Sequence, residues 1–398
     1  MQATKNPITR FLIHLVLLAW VLFSIVPFVM SIITSLQFTR DATARVPRWM
    51  PMAFVDHNVA IALGIGLGVL LLLWINHTSQ SLPNRPQSWL VMVAIALVMG
   101  VGFYLVTLNV TDKQTFETTL QNYQTLWLDS PVSEFSPYGW GALGLIGSLV
   151  VIGVAAQRTP YKTPIYLGMV GIILGVIVWL PQWFELAEFY GFFLNSVIVT
   201  VGTLAISISI GCLAGYALAR YSGVTGVVIL FVALAFRALP RMAFILPYYF
   251  FAQISGLYDT YFLLIITFVA INQPFTIWML RSFFMEIPRE LEEAAMIDGC
   301  NRYTAFLRVI LPIAWTGIIT TSLFTLLLAY NEFLMARLLT SSLWTLPVGI
   351  SRFTSGEDVR LLPLSNASAV SITIPIIFIV IFFQRYLIKG LVGGAVKG

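Results

Sequence analysis

Long apolar stretches separated by short polar breaks dominate the chain. Ten apolar segments can be marked, at about 11–33, 59–76, 88–109, 138–156, 164–180, 193–217, 227–250, 260–280, 312–335 and 368–388. Several lie within charge-free runs (Phe11–Thr39, Val59–Asn84, Gly191–Ala219, Thr260–Leu280 and Leu361–Gln384). Each run exceeds the roughly 20 residues with which a helix crosses a bilayer. Outer-membrane barrels read instead as alternating segments of about 10 residues, and no such alternation is present. The pattern predicts an all-α, polytopic transmembrane helical bundle of about ten spans. Glycines recur at helical spacing, as in Gly168, Gly171 and Gly175 or Gly211 and Gly215, and suit close helix packing.

Composition narrows the picture further. Of the 398 residues, 59% are hydrophobic and 10% charged, where soluble domains carry about 25% charged residues. A soluble globular enzyme, a disordered chain and a nucleic-acid binder are excluded, despite the net charge of +5. The first apolar segment follows Lys5 and Arg10 but is too long for a signal peptide, so it is expected to remain as an anchor. Cys212 and Cys300 lack metal-type spacing and read as a small helix residue and a loop thiol. His14, His57 and His77 are scattered.

Lys and Arg set the orientation. With the N-terminus inside, 13 basic residues fall on the cytoplasmic side and seven on the other, with Arg237 and Arg241 at membrane depth. Both termini are therefore expected in the cytoplasm. Thr111–Pro137 and Ala336–Asn366 become external loops, the latter with Pro347 and Pro363 breaking any long helix. The five cytoplasmic acids (Glu286, Glu290, Glu292, Glu293 and Asp298) all fall in one inside loop, Arg281–Leu311.

That loop has a definite local design. Pro288 suits a helix start, and Glu290, Glu292 and Glu293 place negative charge in the first turns. Leu291, Ala294, Ala295 and Asp298 fall at i, i+3, i+4 and i+7, predicting one shared face with two alanines open to close docking. Gly299 suits the position just past a helix end, and a second short helix is expected from about Asn301 to Arg308. An amphipathic helix lying on the inner leaflet would be basic rather than acidic, so the loop reads as a protein-docking element.

Glu293-Ala294-Ala295, Gly299 four positions on, and Val309-x-Leu311-Pro312 together resemble the EAA loop of bacterial ABC-importer permeases. Val309 stands where that pattern has Ile. The resemblance covers about Phe193 to Gly398. Within it Asn195–Thr200, Gly215–Arg220, Gly256–Thr260, Tyr330–Leu334 and the glycine-rich tail look like the MalG-type branch. It implies a non-catalytic permease subunit in the bacterial cytoplasmic membrane, importing an oligosaccharide, sugar alcohol or related polyol. It further implies three kinds of partner: a MalF-like second permease, two ATP-binding subunits and an extracytoplasmic solute-binding protein.

By the same resemblance, Glu293, Ala294, Ala295, Asp298, Gly299, Leu311 and Pro312 would couple the chain to the ATPase, and the tail residues Gly393, Gly394, Lys397 and Gly398 would also reach it. No cofactor is expected in this chain, ATP and Mg being held by the ATPase. None of its five lysines follows a glycine, so a Gly-Lys-[Ser/Thr] phosphate loop is lacking.

MalG-like chains usually have six spans. Four extra apolar segments lie here between Val46–Pro51 and Phe192–Ser196. The expected organisation is 1–58 as first span and external loop, 59–180 as an inserted four-span bundle, and 181–398 as the permease core. Asn272, Gln273, Tyr330, Asn331 and Glu332 are candidates for a substrate cavity or for interhelical hydrogen bonds. An ion-coupled secondary transporter is the alternative, but it should show inverted repeats, and the N-terminal half has no counterpart of the loop or of Tyr330–Leu334.

Overall fold

The computed structural model describes residues 7–45, 48–52, 115–128, 186–220, 223–240, 242–353 and 358–395. The expected inserted spans at 59–76, 88–109, 138–156 and 164–180 lie outside these described residues. The chain divides into two compact units, one of Met1–Glu185 with Phe353–Val370, the other of Leu186–Arg352 with Ser371–Gly398. The described residues are mostly helical.

In the first unit, α1 (Pro7–Ser35) carries Pro27 in its interior and leads to the single turn α2 (Thr39–Ala42). A two-residue strand β1 (Met50–Pro51) pairs in parallel with β2 (Thr115–Phe116), and α3 (Gln121–Trp127) follows. Within the expected external loop Thr111–Pro137, the described residues 115–128 thus include a strand and a helix. Asn122 on α3 donates to the carbonyls of Ser35 (2.9 Å) and Gln37 (2.8 Å), which satisfies orphan acceptors at the end of α1. Tyr123 and Ser35 share a further hydroxyl contact at 2.8 Å.

The second unit is built on α4 (Glu188–Arg220) and α7 (Tyr261–Met285), its most extensively packed helix pair, with α11 (Trp315–Tyr330) against both. Small residues on α4 permit the approach. A Cβ on Gly215 would lie 3.0 Å from the Arg281 backbone nitrogen, and one on Gly211 would lie 2.8 Å from the Thr276 methyl. Apolar clusters form toward both ends of the unit. One joins Val199, Leu264, Phe268, Met335 and Leu339, the other Leu280, Phe284, Phe306 and Ile310. Fully buried hydroxyls, among them Thr267, Thr276, Thr321 and Thr325, also line these helices. Thr321 bonds back to the carbonyl of Gly317 at 2.9 Å, and Thr276 meets Thr325 across the α7–α11 interface at 3.0 Å.

Several expected boundaries change. The apolar segment 227–250 is two helices, α5 (Val224–Ala238) and α6 (Met242–Ser255), meeting at 95°. Pro240, in the short break between them, cannot supply a helical N–H. The segment 312–335 begins its long helix at Trp315 and bends by 75° against the preceding helical stretch Arg302–Ile313. The supposed external loop Ala336–Asn366 contains α12 (Leu334–Leu339), α13 (Leu346–Ile350) and the start of α14 (Leu362–Ala395). Pro347 and Pro363 do not break these helices. They sit in first turns, where a missing N–H has no intrahelical partner to lose. Three of the described helices (Glu188–Arg220, Tyr261–Met285 and Val359–Gln384) are long and apolar enough to cross a membrane, and up to five spans result if each bent pair is one.

Candidate functional site

The acidic loop closes the end of the second unit where α4 and α7 finish. Past the C-terminus of α7, α8 (Glu290–Ile297) carries its three glutamates in the first turn, then stops at Gly299. Gly299 adopts φ +91°, the left-handed region open to glycine. The amide of Gly299 donates to the Met296 carbonyl (3.1 Å) and that of Cys300 to the Ala295 carbonyl (3.0 Å), the paired bonds of a Schellman cap. Asn301 then caps α9 (Arg302–Ala305) by accepting from the Thr304 amide at 2.8 Å. The chain continues through a wide π-helical turn, Phe306–Ile310, into α10 (Leu311–Ile313). Pro312 lacks an N–H for the Arg308 carbonyl, and its ring would crowd that carbonyl, which accounts for the widening.

The face expected to be shared by Leu291, Ala294, Ala295 and Asp298 is divided. Leu291, Glu293, Ala294, Ile297 and Asp298 are exposed, whereas Glu292 and Ala295 are buried. One alanine is therefore presented to solvent rather than two. The reason is electrostatic, because α8 is rotated so that Glu292 meets the end of α4. Arg220 Nε donates to a Glu292 carboxylate oxygen at 2.9 Å, and the Tyr216 hydroxyl donates to the other. Arg220 also donates from Nη1 to the carbonyls of Phe284 (3.3 Å) and Ile287 (3.2 Å). Tyr216 packs on Phe306 and Phe284, with ring centroids 4.6 and 5.9 Å away. The sequence places Glu292 among the first-turn acids and Tyr216 and Arg220 in the Gly215–Arg220 motif, but gives no sign that the three meet. Neighbours on a helix point about 100° apart, so the Glu292-Glu293 doublet gives its two carboxylates different directions, but spacing alone does not say which one turns inward.

Leu311 packs against the cluster of Leu280, Phe284, Phe306 and Ile310, and Pro312 is exposed. Gly393 and Gly394 lie within α14, while Lys397 and Gly398 fall outside the described residues. The candidate cavity residues are mostly engaged within the chain. Tyr330 is buried and donates to the Ile372 carbonyl at 3.1 Å, and Glu332 is buried and accepts from the Met335 amide at 3.3 Å. Gln273 donates to the Ser207 carbonyl at 3.2 Å, a bond between α7 and α4, and Asn272 is buried beside it in sequence. Asn331 is exposed and donates to the Leu327 carbonyl at 2.9 Å. Among the described residues, no three of His, Cys, Asp or Glu gather closely enough to hold a metal ion.

The model of the binding-protein-dependent transport system inner membrane component matches residues 207–393. The probable ABC transporter permease protein y4oR of Sinorhizobium fredii is 36% identical over 215 residues, 54% of this chain and 77% of its own length. The chain belongs to this family of inner-membrane permeases. The trehalose transport system permease SugB of Mycobacterium tuberculosis is 35% identical over 209 residues, covering 52% of this chain and 76% of its own. The trehalose/maltose transport system permease MalG of Thermococcus litoralis is 33% identical over 217 residues, covering 53% and 77%. The permease match contains the whole Arg281–Leu311 loop with Glu292 and Arg220, and begins after the apolar segments of 59–180.

Proposed function

We propose that this permease is the transmembrane subunit of an ATP-driven importer for an oligosaccharide, sugar alcohol or related polyol. The observation that carries the coupling role is the two-sidedness of α8. One face is pinned to the bundle through Glu292 and Ala295, and the other presents Glu293, Ala294 and Asp298 outward. A short helix held this way is a ready docking element for a separate ATPase. Leu311 and Pro312 set its exit, and the tail residues Gly393, Gly394, Lys397 and Gly398 add a second contact. The relatives SugB and MalG, whose names record trehalose and trehalose/maltose transport, support the substrate class.

The assembly would comprise a MalF-like second permease, two ATP-binding subunits that hold ATP and Mg, and an extracytoplasmic solute-binding protein. Both termini would lie in the cytoplasm, and the residues 59–180 would form a four-span addition to the six-span core. For substrate contact, Asn331 is the exposed candidate at the end of α11 opposite the acidic loop. Asn272, Tyr330 and Glu332 are buried and Gln273 is half-buried, and these four would supply polar support within the same unit. Affinity purification of the chain from its native membrane tests the reading. Co-recovery of an ATP-hydrolysing subunit is expected, lost on replacing Ala294 by Asp, and its absence from the unsubstituted preparation would overturn the proposal.

A further inference from the structure

With only eight residues, α8 is too short to persist as a helix by itself, since isolated helices below about 12–15 residues are marginal in water. Its position must come from what it is tied to. The polar ties converge on the last turns of α4. Glu292 takes the Arg220 Nε and the Tyr216 hydroxyl, and Arg220 reaches the Phe284 and Ile287 carbonyls. In return, Arg289 Nη2 donates to the Arg220 carbonyl at 3.2 Å. The side chains of Arg220 and Glu292 are 15% and 11% exposed, so water screens the pair little. Arg220 Nη2 is buried without a hydrogen-bond partner. Burying such an incompletely satisfied pair is a poor route to stability, which points to a role in fixing position.

The two covalent routes out of α8 differ from this tie. Toward α11 the chain passes the left-handed Gly299, the π-helical turn and the 75° bend before Trp315, a path with several compliant points. Toward α7 it passes the short turn Glu286–Arg289. By contrast, α4 continues unbroken from Arg220 back to Glu188, in backbone-close contact with α7 at Gly215.

We infer that Arg220, Glu292 and Tyr216 form a clamp that makes α8 and α4 one rigid body, so that a displacement of α8 by a docked subunit is delivered to α4 rather than absorbed by the loop. The three are positioning residues, and the inference rests on the coupling role proposed above. The test uses the full chain with its companion subunits in lipid nanodiscs, spin-labelled at Ile297→Cys on the exposed side of α8 and at Leu213→Cys on the exposed face of α4, with Cys212 and Cys300 replaced by Ala.

A single narrow distance population is expected, unchanged on trapping with ATP and vanadate. Glu292→Gln should lose that single population and acquire a nucleotide-dependent shift, whereas Arg220→Lys, which keeps the charge opposite an intact Glu292, should retain part of the narrow population. Tyr216→Phe, which removes one hydroxyl and disturbs the fold less, should broaden it to a smaller degree. A Glu292→Gln distribution as narrow as that of the unsubstituted protein, or an unsubstituted protein whose distance shifts with nucleotide, would overturn the clamp. If no ATPase subunit co-purifies, the coupling role fails by itself, while the nucleotide-free distances still decide the clamp.

Discussion

Asn195, near the start of α4, donates from Nδ2 to the main-chain carbonyl of Trp344, 149 residues along the chain and 2.9 Å away. Its Oδ1 accepts from the Tyr261 hydroxyl at 2.6 Å, so both ends of one amide are used. The adjacent Ser196 hydroxyl accepts from the Leu346 amide at 2.7 Å. Two consecutive polar residues of a transmembrane helix thereby satisfy the backbone of the Trp344–Leu346 turn, which would otherwise be buried unpaired. Above the same turn, the Trp344 ring is flanked by the guanidinium groups of Arg337 and Arg352 at 5.1 and 4.9 Å. Together with the Arg220–Glu292 pair, this leaves α4 fastened by polar groups at both ends and by small residues between them.

Removing the Asn195 amide strands two partners at once. Asn195→Ala is expected to cost about 1–3 kcal/mol, the range for leaving buried hydrogen-bonding groups unmatched. Tyr261→Phe should cost less, because it strands one group rather than two. The double variant should lose less than the sum of the two, since both act on one shared bond. Thermal unfolding of the purified chain in detergent measures all three, and strict additivity would show that the amide acts independently of Tyr261.

Asp259 makes a second bracket on the three residues just before that turn. With a left-handed backbone (φ +61°), its carboxylate accepts from the amides of Ser341 (3.0 Å), Ser342 (3.1 Å) and Leu343 (3.2 Å) and from the Ser342 hydroxyl (2.6 Å). Partial burial acts to raise its pKa, but these donors outweigh it and hold the group down at about 2, against 3.8 for a free side chain. Because the folded value is the lower, the stabilisation is complete above about pH 4 and is lost as the pH falls through about 2. Hydrogen exchange at the three amides should be slower than in Asp259→Asn at pH 5, with the difference closing toward pH 2. A difference that persists at the lowest pH would exclude the carboxylate as its source.

How much of this could be read beforehand differs from residue to residue. The apolar cores of α4, α7 and α14 were visible because a long charge-free run has few other outcomes. The stop of α8 at Gly299 was also visible, since the turn depends on local backbone geometry. The split of 227–250 into α5 and α6 was missed because hydropathy does not register an interruption by one proline. The burial of Glu292 was missed for a different reason. Periodicity places Leu291, Ala294, Ala295 and Asp298 on a plausible shared face, and the true rotation is set by Arg220, seventy-two residues away. The Gly256–Thr260 motif resembled its family without declaring a purpose. Its parts turn out to be a left-handed Gly256, the Asp259 bracket and the Thr260 cap on the Leu263 amide.

Gly215 is expected to be sensitive to size alone. A Cβ there would stand 3.0 Å from the Arg281 nitrogen and 3.3 Å from the Ile277 carbonyl oxygen, both backbone atoms that cannot rotate away. Gly215→Ala should therefore push α4 from α7 at the end that carries the clamp, with a cost of about 1–3 kcal/mol for overpacking. Gly215→Leu should be worse still. Detergent unfolding curves for the two variants would expose the error if Gly215→Ala proved as stable as the parent.

Gly299 should behave in the opposite way, and the contrast separates two kinds of glycine requirement. No atom lies within 4 Å of where its Cβ would be, so space is available. What a side chain meets is the φ of +91°, a conformation that costs an L-residue about 1–2 kcal/mol. Asn adopts left-handed backbone more readily than other residues, whereas a β-branched side chain does so least readily. The expected order of function is therefore Gly, then Asn, then Ala, with Val lowest, although Ala and Asn differ little from Val in the room they need at Cβ. The Schellman bonds from Gly299 and Cys300 hold the end of α8, so loss of the turn should let the helix fray without unfolding the bundle. Uptake of a radiolabelled disaccharide by cells, with membrane insertion monitored in parallel, should fall in that order at constant protein level. Equal uptake by Gly299→Val and the parent would show that the end of α8 does not need this turn.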